Sequence, residues 1–151
     1  MPDTSLSLAL IHQIRDECLC HAARRAARLL GRRFDHAFAP LGINNGQFSL
    51  LVALSGPWAP RLGELATFLA MDSTTMTAAI KTLEKRGLVT LMPDATDARA
   101  RRPALTAQGR SVIAAAAPLW RAEHAAVQAA LPNHSTRDMA QVLAQVLAQL
   151  G

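Results

Sequence analysis

The chain has no tyrosine, only four phenylalanines and two tryptophans, and two cysteines in 151 residues. Sheets draw on aromatic and β-branched residues, so this scarcity, beside a half-hydrophobic composition dominated by alanine and leucine, points to a mainly α protein. Two cysteines cannot build a disulfide framework. No apolar run approaches the roughly 18 residues of a membrane span. Met1 to Thr4 lacks the basic start of a secretory leader, so the expected location is the cytoplasm, with no membrane partner. Acids are also scarce: 11 against 16 basic residues, a net charge of +5, with 14 of the 16 being arginine. Arginine favours bidentate partners such as phosphate and carboxylate, which directs attention to nucleic acid. The length fits one domain, 1-151, with enough residues for a real core.

The most informative stretch runs from Leu62 to Arg110. Met76, Ile80 and Leu83, followed by Gly87, recur at helical spacing and mark one buried face. Asp72 or Ser73 can cap the start and Gly87 can end it, which predicts a helix from about Ser73 to Arg86. Thr74, Ala78, Lys81 and Lys85 point away from the core, flanked by Thr77 and Thr82, and no acid interrupts the stripe. Hydroxyls of Ser73, Thr74, Thr75 and Thr77 and the free N–H groups of the first turn suit phosphates or base edges, Ala78 allows close approach to a thymine methyl, and the lysines meet backbone charge. Taken alone, the same helix also reads as an ordinary solvated surface.

Its neighbours favour DNA. Leu62, Leu65, Ala66 and Leu69 line a short helix separated from the next by only Ala70 to Asp72, a helix-turn-helix pattern. Downstream, Leu88 to Met92 reads as a strand, Pro93 to Ala98 as a turn and Arg99 to Thr106 as a return strand. Arg99, Arg101 and Arg102 lie near the tip, placed to enter a minor groove, and Asp97 is expected to hold one guanidinium in a bidentate pose. These are the parts of a winged helix-turn-helix.

The run Leu62-Gly63-Glu64-Leu65-Ala66, the helix ending Leu83-Glu84-Lys85-Arg86-Gly87-Leu88-Val89, and the wing from Asp97 to Gly109, an Asp-x-Arg-x-Arg followed by Leu-Thr-x-x-Gly, resemble the MarR family of bacterial transcriptional regulators. Residues 18 to 55 and 106 to 150 resemble that family's flanking helices. Ala100 stands where some members carry a second acid. The resemblance implies a homodimeric repressor, released from a palindromic double-stranded operator by a small, aromatic or anionic effector or by oxidation. It implies a winged helix-turn-helix over 44-105 and dimerisation helices over 16-40 and 106-150. It also implies that Phe34, His36, Phe38, Phe48 and Trp120 are candidate ligand liners, although aromatic stripes at helical spacing are mostly packing.

Residues 1 to 15 read as an arm with a helical turn or two around Leu8 to Ile14. A long helix is expected from Asp16 to Ala39, ended by Pro40 and Gly42. It carries Arg24, Arg25, Arg28, Arg32 and Arg33 without an intervening acid; such a row is a solvated face or a contact for phosphate, an anionic ligand or an acidic partner. Cys18 and Cys20, placed on different sides of that helix, read as buried or half-buried thiols, with redox sensing as the alternative. Asn44 or Asn45 caps a buried helix bearing Phe48, Leu50, Leu51, Val52 and Leu54. Ser55 to Pro60 forms a rigid loop in which Trp58 acts as a packing lid. A long helix from Thr106 to Leu131 is expected to be interrupted at Pro118, where the missing N–H should produce a kink. Ser135 or Thr136 caps a last helix whose Met139, Val142, Leu143, Val146, Leu147 and Leu150 form one long stripe, best matched by a second copy of the chain.

An enzyme would need paired carboxylates, an activated nucleophile, a phosphate loop or metal spacing. None is evident, so no catalytic residue, cofactor or metal ligand is expected, and His12, His21, His36, His124 and His134 are scattered. A winged helix serving only as an adaptor is a further possibility, but it has no need of the concentrated arginines of the wing.

Overall fold

The structure, a computed structural model, describes residues 6 to 150, so the first five residues of the expected N-terminal arm lie outside it. Among the described residues the chain forms α1 (Leu8–Glu17), α2 (Leu19–Phe38), a single 3-10 turn, α3 (Asn45–Ala53), α4 (Leu62–Phe68), α5 (Ser73–Lys85), β1 (Val89–Pro93), β2 (Arg101–Leu105), α6 (Ala107–Ala129) and α7 (Thr136–Leu150). This is a mainly α, winged-helix architecture. The two strands are antiparallel and pair Val89 with Leu105, Leu91 with Pro103 and Pro93 with Arg101.

Local chemistry sets most element boundaries. Asn44 Oδ1 accepts from Gln47 N (2.8 Å) while Gln47 Oε1 accepts from Asn44 N (3.1 Å), a reciprocal cap that opens α3. Asp72, rather than Ser73, caps α5 by accepting from Thr75 N (2.8 Å). Beyond the other end, Gly87 adopts φ +70°, which a side chain would resist. Ser135 Oγ accepts from Asp138 N at the start of α7. Gln128 Oε1 accepts from both Thr136 N and Thr136 Oγ1 (2.9 Å each) and so fixes the α6–α7 turn.

The helical face read from Met76, Ile80 and Leu83 is the centre of the core. All three are at most 1% exposed, and they pack with Phe38, Leu50, Leu51, Leu65, Leu88, Val89 and Ala116. Each large apolar side chain buried this completely contributes about 1.5–3 kcal/mol. Because these residues come from α2 to α6 and β1, a single core holds the reading helix, the wing base and the long helix together.

Four expectations need correction. The long helix predicted from Asp16 is broken: Cys18 leaves the helical region (φ −72°, ψ 102°), its N–H ends α1 on Ile14 O (3.1 Å) and its Sγ accepts from His21 N (3.4 Å) to open α2. No proline or glycine marks that break, so periodicity runs across it. The structured part of the arm is a full helix, α1, with Ser7 Oγ accepting from Leu10 N. In α3, Val52 is 45% exposed, so that helix is not wholly buried. The return strand begins at Arg101 because Arg99 and Ala100 belong to the turn, where Ala100 N donates to Asp97 O (3.0 Å).

A fifth correction concerns what holds the wing. Asp97 does not grip a guanidinium; its Oδ1 accepts from Arg99 N (3.0 Å) and shapes the turn. The gripping carboxylate is Asp94, 1% exposed at its side chain. Arg61, at the start of α4, donates from Nε to Asp94 Oδ2 (2.9 Å) and from Nη2 to Oδ1 (3.2 Å). Arg102 on β2 donates from Nε to Oδ2 (2.6 Å), and its Nη1 donates to the Ala59 carbonyl. Thr96 N, Thr96 Oγ1 and Asp97 N complete the shell on Oδ1 at 2.8, 2.8 and 3.0 Å. The Arg61 bond, followed by the Thr96 bonds, holds the Asp94 carboxyl well below the usual carboxylate range.

A second fastening lies at the other end of the wing. Thr106 Oγ1 donates to Gly87 O (2.6 Å) and accepts from Gly109 N (3.0 Å), while Thr106 N donates to Leu88 O (3.2 Å). Gly109 packs so closely that a Cβ there would stand 2.1 Å from Leu88 O and 3.2 Å from Leu105 Cδ2. Gly109→Ala is therefore expected to lower stability by about 1–3 kcal/mol, despite alanine's better helix propensity, as read by urea unfolding. Asp94→Asn is expected to raise the hydrogen-exchange rates of the Thr96 and Asp97 amides more than about tenfold. Because the folded carboxyl titrates below its unfolded value of about 3.9, the clasp's contribution is complete above that pH and fades as pH falls through the lower folded value. Acid unfolding curves should show this loss in the parent and lack it in Asp94→Asn.

Candidate nucleic-acid interface

The outer face of α5 is an open surface. Ser73, Thr74, Thr75, Ala78, Lys81 and Lys85 are exposed and Thr77 is half-buried, and Ser73, Thr74, Thr77, Ala78 and Lys81 together line a shallow hollow. The hydroxyls are not equivalent. Thr75 Oγ1 donates to Asp72 Oδ2 (2.5 Å), Thr77 Oγ1 to Ser73 O (2.8 Å) and Thr82 Oγ1 to Ala78 O (3.0 Å). Ser73 and Thr74 have no such partner among the described residues, so their hydroxyls remain free to donate outward. Bonds from the Thr75 hydroxyl and then the Thr75 amide hold the Asp72 carboxyl below its ordinary range, so the cap stays ionised. Neither Lys81 nor Lys85 has an acid partner among the described residues.

The three wing arginines separate into two kinds. Arg99 and Arg101 are exposed and pair with no acid among the described residues; Arg101 Nη1 donates to the carbonyls of Ala98 (3.0 Å) and Ala100 (3.2 Å), which steadies the base of its guanidinium. Arg102 is half-buried and committed to Asp94 and Ala59, so it anchors the wing. Asp94 and Arg61 are positioning residues that the sequence reading passed over. No local signal singles them out, because Arg61 lies 33 residues from Asp94 and only the fold brings the two together.

The candidate ligand liners do not converge on one cavity. Phe34, Phe38 and Phe48 stack in succession, with centroids 5.9 and 4.5 Å apart, and Phe38 is fully buried. His36 is exposed beside Leu29, Arg32, Arg33 and Glu123. Trp120 stacks on His124 (4.9 Å) over a separate hollow between α6 and α7. Trp58 meets Phe68 edge-on at 5.3 Å, as a lid over α4. Cys18 is half-buried, whereas Cys20 is exposed; both are free thiols. Among the described residues, no helix is long and apolar enough to cross a membrane, and no group of three His, Cys, Asp or Glu could hold a metal.

Comparison with known proteins agrees with this geometry. The sequence profile of the MarR family matches residues 43–100. Over 91 residues the chain is 31% identical to the transcriptional activatory protein BadR of Rhodopseudomonas palustris, covering 58% of this chain and 52% of BadR, so it spans about half the length of that curated relative. The structure of the Mycobacterium tuberculosis transcriptional regulator MosR in complex with DNA is 37% identical, with a TM-score of 0.77 over 87% of this chain and 95% of MosR. The transcriptional repressor CouR bound to a 23-mer DNA duplex is 27% identical, with a TM-score of 0.71 over 97% of this chain and 99% of CouR. On this kinship, the chain belongs to the MarR family of transcriptional regulators.

Proposed function

We propose that the protein is a homodimeric repressor that binds a palindromic double-stranded operator and is released by a small aromatic or anionic effector. The observation that carries this reading is the exposed stripe of Thr74, Ala78, Lys81 and Lys85 on α5, which no acid interrupts, with Ser73 exposed beside it and a wing whose Arg99 and Arg101 are unpaired among the described residues. The helix N-terminus and its free hydroxyls meet phosphates or base edges in a major groove, and the wing arginines meet the more negative minor groove. MosR in complex with DNA and CouR bound to a DNA duplex support the DNA part, and CouR bound to p-coumaroyl-CoA, at 25% identity, supports a small-molecule effector.

Within this reading, Ser73, Thr74, Thr75, Thr77, Ala78, Lys81 and Lys85 form the groove-facing helix, Arg99 and Arg101 the minor-groove contact, and Asp97 and Arg102 shape the wing. Residues 44-105 are the reading unit, and 16-40 with 106-150 supply the dimerisation helices. Uncovered apolar faces favour a second copy of the chain. Met139, Val142, Leu143 and Leu147 on α7 are 38–57% exposed, and Leu8, Leu10, Ile11 and Ile14 on α1 are 41–73% exposed. Two amphipathic helices with uncovered apolar faces fit an interlocked, twofold-related pair, which would also present two reading helices to half-sites about one helical turn apart.

Three measurements test the assignment. Arg101→Ala is expected to weaken operator and competitor DNA alike and to lower the salt slope by about 1, the loss of one neutralised phosphate. Ala78→Glu is expected to abolish operator binding, since it sets a carboxylate against phosphate and purine acceptors. Both variants should keep their unfolding midpoints, with stability changes within roughly 0.5 kcal/mol, because neither touches the buried face of α5. If both bind DNA like the parent while folded, α5 and the wing are not the reading surface. Truncation before Ser135 should yield monomers by light scattering, and a dimeric truncated protein would remove α7 from the interface.

A further inference from the structure

The side chain of Arg61 spans the two DNA-contacting elements of the reading unit, outside the segments assigned to dimerisation. Its backbone opens α4, the first helix of the helix-turn-helix, and its guanidinium ends inside the wing turn. There Nε stands 2.9 Å from Asp94 Oδ2, and Nη2 stands 3.2 Å from Asp94 Oδ1 and 3.0 Å from Thr96 Oγ1. One edge of the fork is thereby occupied. Nη1 has no hydrogen-bond partner among the described residues, and the side chain is 39% exposed against 1% for Asp94.

The charge of Arg61 is also incompletely met. Arg102 donates to the same Asp94 oxygen at 2.6 Å and has Glu64 within 4.0 Å as a second acid, whereas Asp94 is Arg61's only ion-pair partner among the described residues. The other two acids beside it are engaged by amides: Glu64 Oε2 accepts from Arg61 N (2.6 Å) and Asp97 Oδ1 accepts from Arg99 N (3.0 Å). Arg61 thus adds a third cation to the turn that carries Arg99 and Arg101, although it lies far from them in sequence.

With α5 in a major groove and the wing in the neighbouring minor groove, the ridge between the two is a single sugar–phosphate strand. We propose that Arg61 is a DNA-contacting residue, its free Nη1 edge donating to a backbone phosphate on that ridge. The assignment rests on the DNA reading given above and adds a contact to it. Such a contact positions the protein on the duplex and carries no base information. The shell of Asp94 and Thr96 orders the guanidinium before DNA arrives, so little side-chain freedom is lost when a phosphate takes up the open edge.

The salt dependence of DNA affinity separates this role from a purely structural one, measured on a duplex that the full-length parent selects from a random-sequence pool. Arg61→Gln keeps an amide donor for Asp94 but loses the charge; it should weaken binding at least about fivefold and lower the salt slope by about 1. Arg61→Lys should keep the parent slope. Asp94→Asn breaks the same clasp yet leaves the Arg61 charge in place, so it should weaken binding while keeping or raising the slope. A structural arginine would make Arg61→Gln and Asp94→Asn behave alike. If Arg61→Gln loosens the wing, seen as rapid exchange of the Thr96 and Asp97 amides, the comparison passes to Asp94→Asn against Asp94→Asn/Arg61→Gln, where the clasp is absent from both and the slopes should still differ by about 1. An unchanged slope in Arg61→Gln, or no difference within that second pair, overturns the proposal. A parent that selects no duplex overturns the regulator reading as well, whereas salt-dependent binding by the parent with a full slope in Arg61→Gln removes Arg61 alone.

Discussion

A single buried carboxylate determines where the wing can be. Asp94 receives Arg61 from the start of α4, Arg102 from β2, and the amides and hydroxyl of its own turn. A two-stranded ribbon is marginal in isolation. Here one end is fastened by this clasp and the other by Thr106, so the strands are held to the helical body at both ends. The arrangement uses two arginines for construction and leaves two others, Arg99 and Arg101, projecting from a fixed base. Charges whose carriers are already ordered lose little further freedom when they meet a partner.

Most of the helical organisation was legible because it rests on local rules. Met76, Ile80 and Leu83 repeat at a helical period, Asp72 and Gly87 carry the chemistry of the two ends, and Asn44 with Gln47 forms a cap readable in four residues. What was missed depends on contacts distant in sequence. Asp94 is 33 residues from Arg61, and nothing near Asp94 distinguishes it from Asp97 until the fold brings the two arginines to one of them. The break at Cys18 was hidden for a different reason: a cysteine is a rare cap, and its sulfur leaves no compositional mark.

The candidate site shows the same division. Which residues of α5 face outward follows from 3.6-residue geometry. Which hydroxyls are occupied does not, since Thr75 is taken by its cap and Thr77 by the preceding turn, leaving Ser73 and Thr74. The aromatic residues look alike in sequence but differ in depth, from fully buried Phe38 to Phe68 at 61% exposed. Depth is a property of the assembled core, and periodicity cannot report it.

The close seat of Gly109 on Leu88 also bears on how motion passes through the molecule. Where two elements meet through side chains, a small tilt is absorbed by rotamer changes. Here backbone rests on backbone, and the Leu88 carbonyl is additionally engaged by Thr106 N. There is no compliant layer between them. A tilt applied to the far end of α6 acts as it would on a lever with a hard fulcrum, displacing Leu88 and the end of α5 with it. The missing methyl thus makes the junction stiff.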